Sequence, residues 1–120
     1  MSVITFEEMK TALRRAVKER GEDFVYPVGK PAWMTLNSLG TPVCRYALDD
    51  GSPACIVGLA LSYLCPLDKP VPNNHTIPNA YPSVSFSEGA LTLAADVQYA
   101  QDRGVPWGFA VESSLKGWDS

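Results

Sequence analysis

The residue whose type and position best suit it to chemistry in this 120-residue chain is Cys55, at the start of an apolar run that follows Ser52-Pro53. Serine before proline reads as a helix N-cap followed by the first helical position. A thiol placed there would feel the peptide N–H groups and the helix dipole, which lower its pKa and favour the nucleophilic thiolate. Nucleophilic catalysis also needs a base and a group to orient it. The only histidine is His75, and Asp49 or Asp50 could hold its ring, so Cys55, His75 and Asp50 form the one candidate catalytic set. The same residues have a plainer reading. Cys55 lies in Ala54-Cys55-Ile56-Val57, the setting of a packed thiol, and His75 lies in a proline-rich stretch where a solvated imidazole is expected.

Other chemistry is less well provided for. The three cysteines and His75 are spaced C-x10-C-x9-C-x9-H, without the close ligand pairs that zinc modules use, so neither a metal site nor a disulfide framework is expected. Glycine-rich nucleotide loops, the Gly-x-Ser-x-Gly elbow and His-Glu-x-x-His are missing. The acidic pairs Glu7-Glu8, Glu22-Asp23 and Asp49-Asp50 stand at helix starts or turns, where capping and turn formation account for them. No cofactor is implied.

Binding features are more numerous. Lys10, Arg14 and Lys18 repeat at i, i+4 and i+8, and five of the ten basic residues fall in that one segment. The stripe is either a solvated helix face or a contact for an acidic partner. Trp33, Met34, Tyr81 and Trp118 are large apolar groups in segments that read as loops or tail. They either pack down on the core or offer a contact surface. Tyr46, Tyr81 and Trp107 could stack on a small ligand or a nucleotide.

The elements that must position these residues follow from periodicity. Thr5 and Glu8 make a capping box ahead of Phe6, Met9, Leu13 and Val17, predicting a helix over 5–20 closed by Gly21. Residues 24–26 and 43–48 are short strand candidates that could pair as an antiparallel ribbon, with a breaker-rich loop from Gly29 to Pro42 between them. A second helix over 53–64 carries almost no polar face and should be the central, covered one; Gly58 inside it hints at a close backbone approach. From Cys65 to Pro82 no regular structure is expected, and a loop of that length is a natural wall or lid for a site. Ser85 with Glu88 reads as another capping box, for a helix over 86–103 whose Ala90, Ala94, Ala95 and Ala100 suit close packing. A last helix, 106–116, starts at Pro106 and presents Trp107, Ala110, Val111 and Leu115 on one face.

Composition bounds the rest. With 46% hydrophobic and 19% charged residues the chain should fold, as a single domain over 1–120. A net charge of -3 argues against a general nucleic-acid binder. The N-terminal residues do not have the pattern of a secretion signal, no apolar run is long enough for a membrane span, and a cytoplasmic location is expected.

Two stretches carry a resemblance. Arg-Tyr-Ala-Leu-Asp-Asp-Gly-Ser-Pro-Ala-Cys-Ile-Val-Gly-Leu-Ala-Leu, and later Ala-Gln-Asp-Arg-Gly-Val-Pro-Trp-Gly-Phe-Ala-Val, resemble small uncharacterised proteins of actinobacteria and their phages. In those proteins an N-terminal helix precedes a Cys-x-x-Gly-Ala-hydrophobic helix, and a helical hairpin with Trp at its turn closes the chain. Cys55, Gly58, Gly104 and Trp107 are the matching positions. The resemblance covers about a quarter of the chain and implies a bacterial or phage origin without an activity to transfer.

The expectation is therefore an α+β, mostly α domain of about four helices and a small ribbon. Its leading function is non-catalytic binding of a protein partner, in one version a phage accessory protein acting on a host macromolecule. A cysteine-dependent hydrolase or transferase and a small-ligand or nucleotide binder are the alternatives.

Overall fold

The computed structural model describes residues 3–27, 34–36, 42–48, 50–66, 68–70 and 77–119. In chain order these form β1 (Val3–Ile4), α1 (Phe6–Arg20), β2 (Met34–Leu36), β3 (Pro42–Cys44), α2 (Ile56–Leu64), α3 (Ile77–Ala80), β4 (Ser85–Phe86), α4 (Glu88–Asp102) and α5 (Trp107–Asp119). The mostly helical α+β character is as expected. No helix among the described residues is long and apolar enough to cross a membrane.

Helix α1 starts as its sequence dictates. The Glu8 N–H donates to Thr5 Oγ1 at 3.2 Å while Thr5 N–H donates to Glu8 Oε1 at 3.1 Å. Gly21, at φ 102°, ends the helix and donates its N–H to Val17. Met9, Ala12, Leu13 and Ala16 form the buried stripe. They pack on α2, which also contacts α4, and α5 closes against α4 and α1. Ile56, Val57, Gly58, Leu59, Ala60 and Leu61 are all buried, so α2 is the central post. Full burial of side chains such as Leu13, Ile56, Leu61 and Leu93 contributes about 1.5–3 kcal/mol each relative to exposure.

The glycine inside α2 has a geometric cause. A Cβ on Gly58 would lie 2.1 Å from the carbonyl oxygen of Tyr46. Residues 46–54 form a tight hairpin over that spot: Ala54 N–H donates to Tyr46 at 3.0 Å, Leu48 N–H to Ser52 at 2.9 Å, and Ala47 bridges to Pro53.

This hairpin also moves the start of the helix. Ser52 does not cap it; its N–H and hydroxyl both donate to Asp50 Oδ1, at 2.9 and 2.5 Å, and close the turn. The helix begins at Ile56 rather than at 53, with Cys55 as N-cap. Ile56 N–H donates to Oε1 of the fully buried Gln101 at 2.8 Å, a partner 45 residues away that no local capping pattern reveals.

Four further expectations are corrected. The antiparallel ribbon of 24–26 with 43–48 does not form. Residues 24–27 are not a strand, and they reach the hairpin through a side chain, Tyr26, whose hydroxyl accepts from Arg45 N–H at 3.3 Å. Pro42–Cys44 pairs instead with Met34–Leu36, antiparallel, inside the stretch read as loop. A second pair, Val3–Ile4 with Ser85–Phe86, is parallel. That parallel pair explains the third correction: with Ser85 committed to β4, Ser87 becomes the N-cap of α4, and the capping box of Ser85 with Glu88 is not made. The stretch from Cys65 to Pro82, expected to lack regular structure, contains the one-turn helix α3.

Helix α5 takes its cap from far away in sequence. Trp107 N–H donates to Phe24 at 2.8 Å and Gly108 N–H to Glu22 at 2.9 Å. Gly108 is required at this crossing, because a Cβ would meet Cβ of Glu22 at 2.6 Å. Trp107, Ala110, Val111 and Leu115 are buried, as their spacing predicts.

Candidate functional site

Cys55 is placed where a thiol is structural. It is fully buried, and its sulfur accepts the Gly58 N–H at 3.3 Å, doing the work of a capping hydroxyl at the first turn of α2. Asp50 is exposed and its carboxylate is occupied by Ser52, which holds it below the ordinary carboxylate value, chiefly through the side-chain hydrogen bond. His75 and Asp49 lie outside the described residues. The described part of the catalytic set is thus one buried cap and one turn residue. No cluster of three or more His, Cys, Asp or Glu with metal-binding geometry occurs among the described residues.

The labelling order of the thiols follows. Cys65 is half-buried, and its thiol, pushed up by burial first and then by Asp68, donates to Leu61 at 3.2 Å. Iodoacetamide at neutral pH should modify Cys65 slowly and Cys55 only after unfolding. Rapid modification of Cys55 in the folded chain, read by peptide mass spectrometry, would restore the nucleophile reading.

The basic stripe of α1 is largely occupied within the molecule. Lys10 pairs with Glu7 at 2.9 Å. Arg14 makes a two-pronged contact with Glu112 of α5, Nε at 3.1 Å and Nη2 at 3.0 Å, which holds the Glu112 carboxyl below its usual value. Lys18 is exposed, with no ion-pair partner among the described residues. The other basic residues of the helix are used too. Arg15 lies 4.0 Å over the ring of Tyr63, whose hydroxyl donates to Glu19, and Arg20 stacks near Phe24 and Trp107 while donating to Pro53 at 3.1 Å. These contacts tie α1 to its neighbours, through Arg14 to α5, Arg15 to Tyr63 of α2 and Arg20 to Pro53.

The aromatic candidates separate into two groups. Tyr46 and Tyr81 come together edge to face, with ring centroids 5.8 Å apart, whereas Trp107 is buried elsewhere against Phe24 at 4.6 Å. Tyr81 is not an exposed loop residue but a buried one, and Met34 is half-buried against the core. Trp33 and the side chain of Trp118 lie outside the described residues. The large apolar groups that are exposed among the described residues are Val3, Val25, Tyr99 and Phe109.

Two depressions flank Tyr46. One is an open groove of about 410 Å³ along α4, walled by Tyr46, Ile77, Leu91 and Ala95 and rimmed by Gln98, Tyr99 and Asp102. Tyr46 donates its hydroxyl to Gln98 Oε1 at 3.2 Å, and Tyr99, 65% exposed, accepts from Arg103 at 3.0 Å. The other is a smaller cavity of about 90 Å³ beneath the 46–54 hairpin, where Tyr46 and Tyr81 meet Gly58, Ser62, Asp68 and Lys69. A third, charged depression of about 510 Å³ follows the Arg14–Glu112 seam between α1 and α5. Of the groove residues only Tyr46 was a sequence candidate. The signal for the others is a second helical stripe on α4, Leu91, Ala95, Gln98 and Asp102 at i, i+4, i+7 and i+11, lying beside the core stripe of Ala90, Leu93, Ala94, Val97 and Gln101.

Comparison with known proteins finds no matching family, no matching curated protein and no matching solved structure, so the functional reading of this chain rests on its own geometry.

Proposed function

We propose that this chain is a non-catalytic binding protein that receives an apolar side chain of a protein partner in the α4 groove. The observation that carries this reading is an aromatic left 65% exposed at the rim of an apolar depression, on a helix whose core stripe is already satisfied. Asp102, the single ionisable carboxylate among the described residues of the groove, repels phosphate, and together with the net charge of -3 this favours a protein over a nucleic acid. A bacterial cell, or the host cell of a phage, is the setting that the sequence resemblance implies.

Site-specific photo-crosslinking tests it. Benzoylphenylalanine placed at Tyr99 in a bacterial host should give a discrete protein adduct, which Ala95→Asp abolishes while leaving the melting temperature unchanged because Ala95 is exposed. The same probe at Phe109, equally exposed but not part of the groove, should give none. Equal adducts at both positions, or an adduct indifferent to Ala95→Asp, would remove the groove from consideration.

A second reading, small-ligand binding, is favoured by one observation: Tyr46 and Tyr81 converge on the cavity beneath the hairpin. The cysteine-dependent enzyme has no such support, since Cys55 is enclosed.

A further inference from the structure

Tyr81 is only 4% exposed, lines the small cavity, and makes no side-chain hydrogen bond to any described residue. Its hydroxyl is not sealed off as the Trp107 indole N–H is, and it is open to water or to an occupant of the cavity. Burial, and then the neighbouring Cys55, Cys65 and Asp68, push the Tyr81 phenol far up, so at neutral pH it remains a hydrogen-bond donor. Two oppositely charged side chains share the cavity with it: Asp68, half-buried, and Lys69, exposed at the mouth. No ion pair joins these two among the described residues. The remaining wall is made of short side chains, with Pro53, Pro66, Gly58 and Ser62. About 90 Å³ accommodates several waters or a ligand of roughly five to seven heavy atoms.

We propose that this cavity binds a small zwitterion, a free α-amino acid of glycine or alanine size, with its ammonium on Asp68 and its carboxylate between Lys69 and the Tyr81 hydroxyl. Adjacent opposite charges suit a molecule that carries both, and the buried phenol supplies the neutral donor that a carboxylate accepts. The site belongs to the small-ligand reading and shares only Tyr46 with the α4 groove, so failure of either leaves the other standing.

The test is a heteronuclear NMR titration of the full chain with glycine and with L-alanine, using acetate and methylamine as single-charge controls. Saturable shifts confined to the amides of Tyr46, Gly58, Ser62, Asp68 and Tyr81, with a Kd on the order of millimolar, are expected for both amino acids and for neither control. Tyr81→Phe, which keeps the ring packed against Tyr46, and Asp68→Asn should each weaken binding by about fivefold or more, while Ala95→Asp leaves it unchanged. Shifts that are absent or do not saturate, acetate matching glycine, or both variants binding as wild type would each overturn the proposal.

Discussion

Replacing Gly58 with alanine should cost about 3–5 kcal/mol of folding stability, although intrinsic helix propensity alone would make the change favourable by about 1 kcal/mol. The two effects have opposite signs, and geometry decides between them. The added methyl would sit 2.1 Å from the Tyr46 carbonyl oxygen and 2.9 Å from its carbon, far inside van der Waals contact. These are backbone atoms, fixed by the Ala54 N–H bond to that same carbonyl and by the Ala47 to Pro53 bridge, so no side-chain rotation relieves the clash. Either α2 shifts off the hairpin or the hairpin opens. Both movements disturb the Cys55 cap and the Gln101 contact to Ile56, which lie at the same end of α2. Urea unfolding followed by circular dichroism measures the loss. A change smaller than about 1 kcal/mol would mean that the hairpin is free to move and that the contact is not a constraint. Against a total stability of about 5–15 kcal/mol for a domain of this kind, the expected loss is a large part of the whole.

Trp107→Ala should be comparably damaging, by about 3–5 kcal/mol, because it empties the largest fully buried side chain among the described residues. It also removes the edge-to-face contact with Phe24, at 4.6 Å and 64°, and the ring beside which Arg20 packs at 5.6 Å. Trp107→Phe should cost far less, about 1–2 kcal/mol. The smaller ring leaves a void, but it also deletes an indole N–H that is buried without a hydrogen-bond partner among the described residues, a group whose desolvation costs about 1–3 kcal/mol when unpaired. The same denaturation experiment separates the two. If phenylalanine proves as costly as alanine, the orphan N–H carries no penalty and packing volume alone accounts for the site.

Much of the helical scaffold was legible locally. The Thr5–Glu8 box and Gly21 bound α1 because both signals act within one turn of the helix. The apolar face of α5 and the all-round burial of α2 follow from side-chain period and composition. Errors arose where a local signal met a distant competitor. Ser52-Pro53 and Ser85 are sound N-terminal patterns, yet Ser52 was taken by Asp50 in the hairpin and Ser85 by the parallel pairing with Val3–Ile4. The predicted ribbon failed for a related reason. Trp107 and Gly108 claim the carbonyls of Phe24 and Glu22, so the chain here meets the start of α5 instead of pairing as a strand.

The sites were less legible than the fold. Lys10, Arg14 and Lys18 form a stripe in any helical projection, but only the packing of α5 brings Glu112 against Arg14 and turns a potential contact surface into a seam. Tyr46, Tyr81 and Trp107 looked equivalent as a set of aromatic residues. The hairpin and α3 bring the first two together, while the α4–α5 turn carries the third into the core.

By itself, then, the sequence determined the four longer helices, their buried faces and the centrality of α2, because each depends on interactions within a few residues or on the simple separation of apolar from polar groups, whereas at Gly58 it gave only a hint of the close approach that Tyr46 makes. Only the tertiary structure decided that Cys55 is a cap, that Arg14 of the basic stripe pairs with Glu112 while Lys18 stays without an ion pair among the described residues, and that Tyr81 faces a small cavity with Asp68 and Lys69. Those outcomes depend on which distant groups meet, and hydrogen bonds and charges are short-ranged enough that a meeting partner, once present, outweighs any preference written locally.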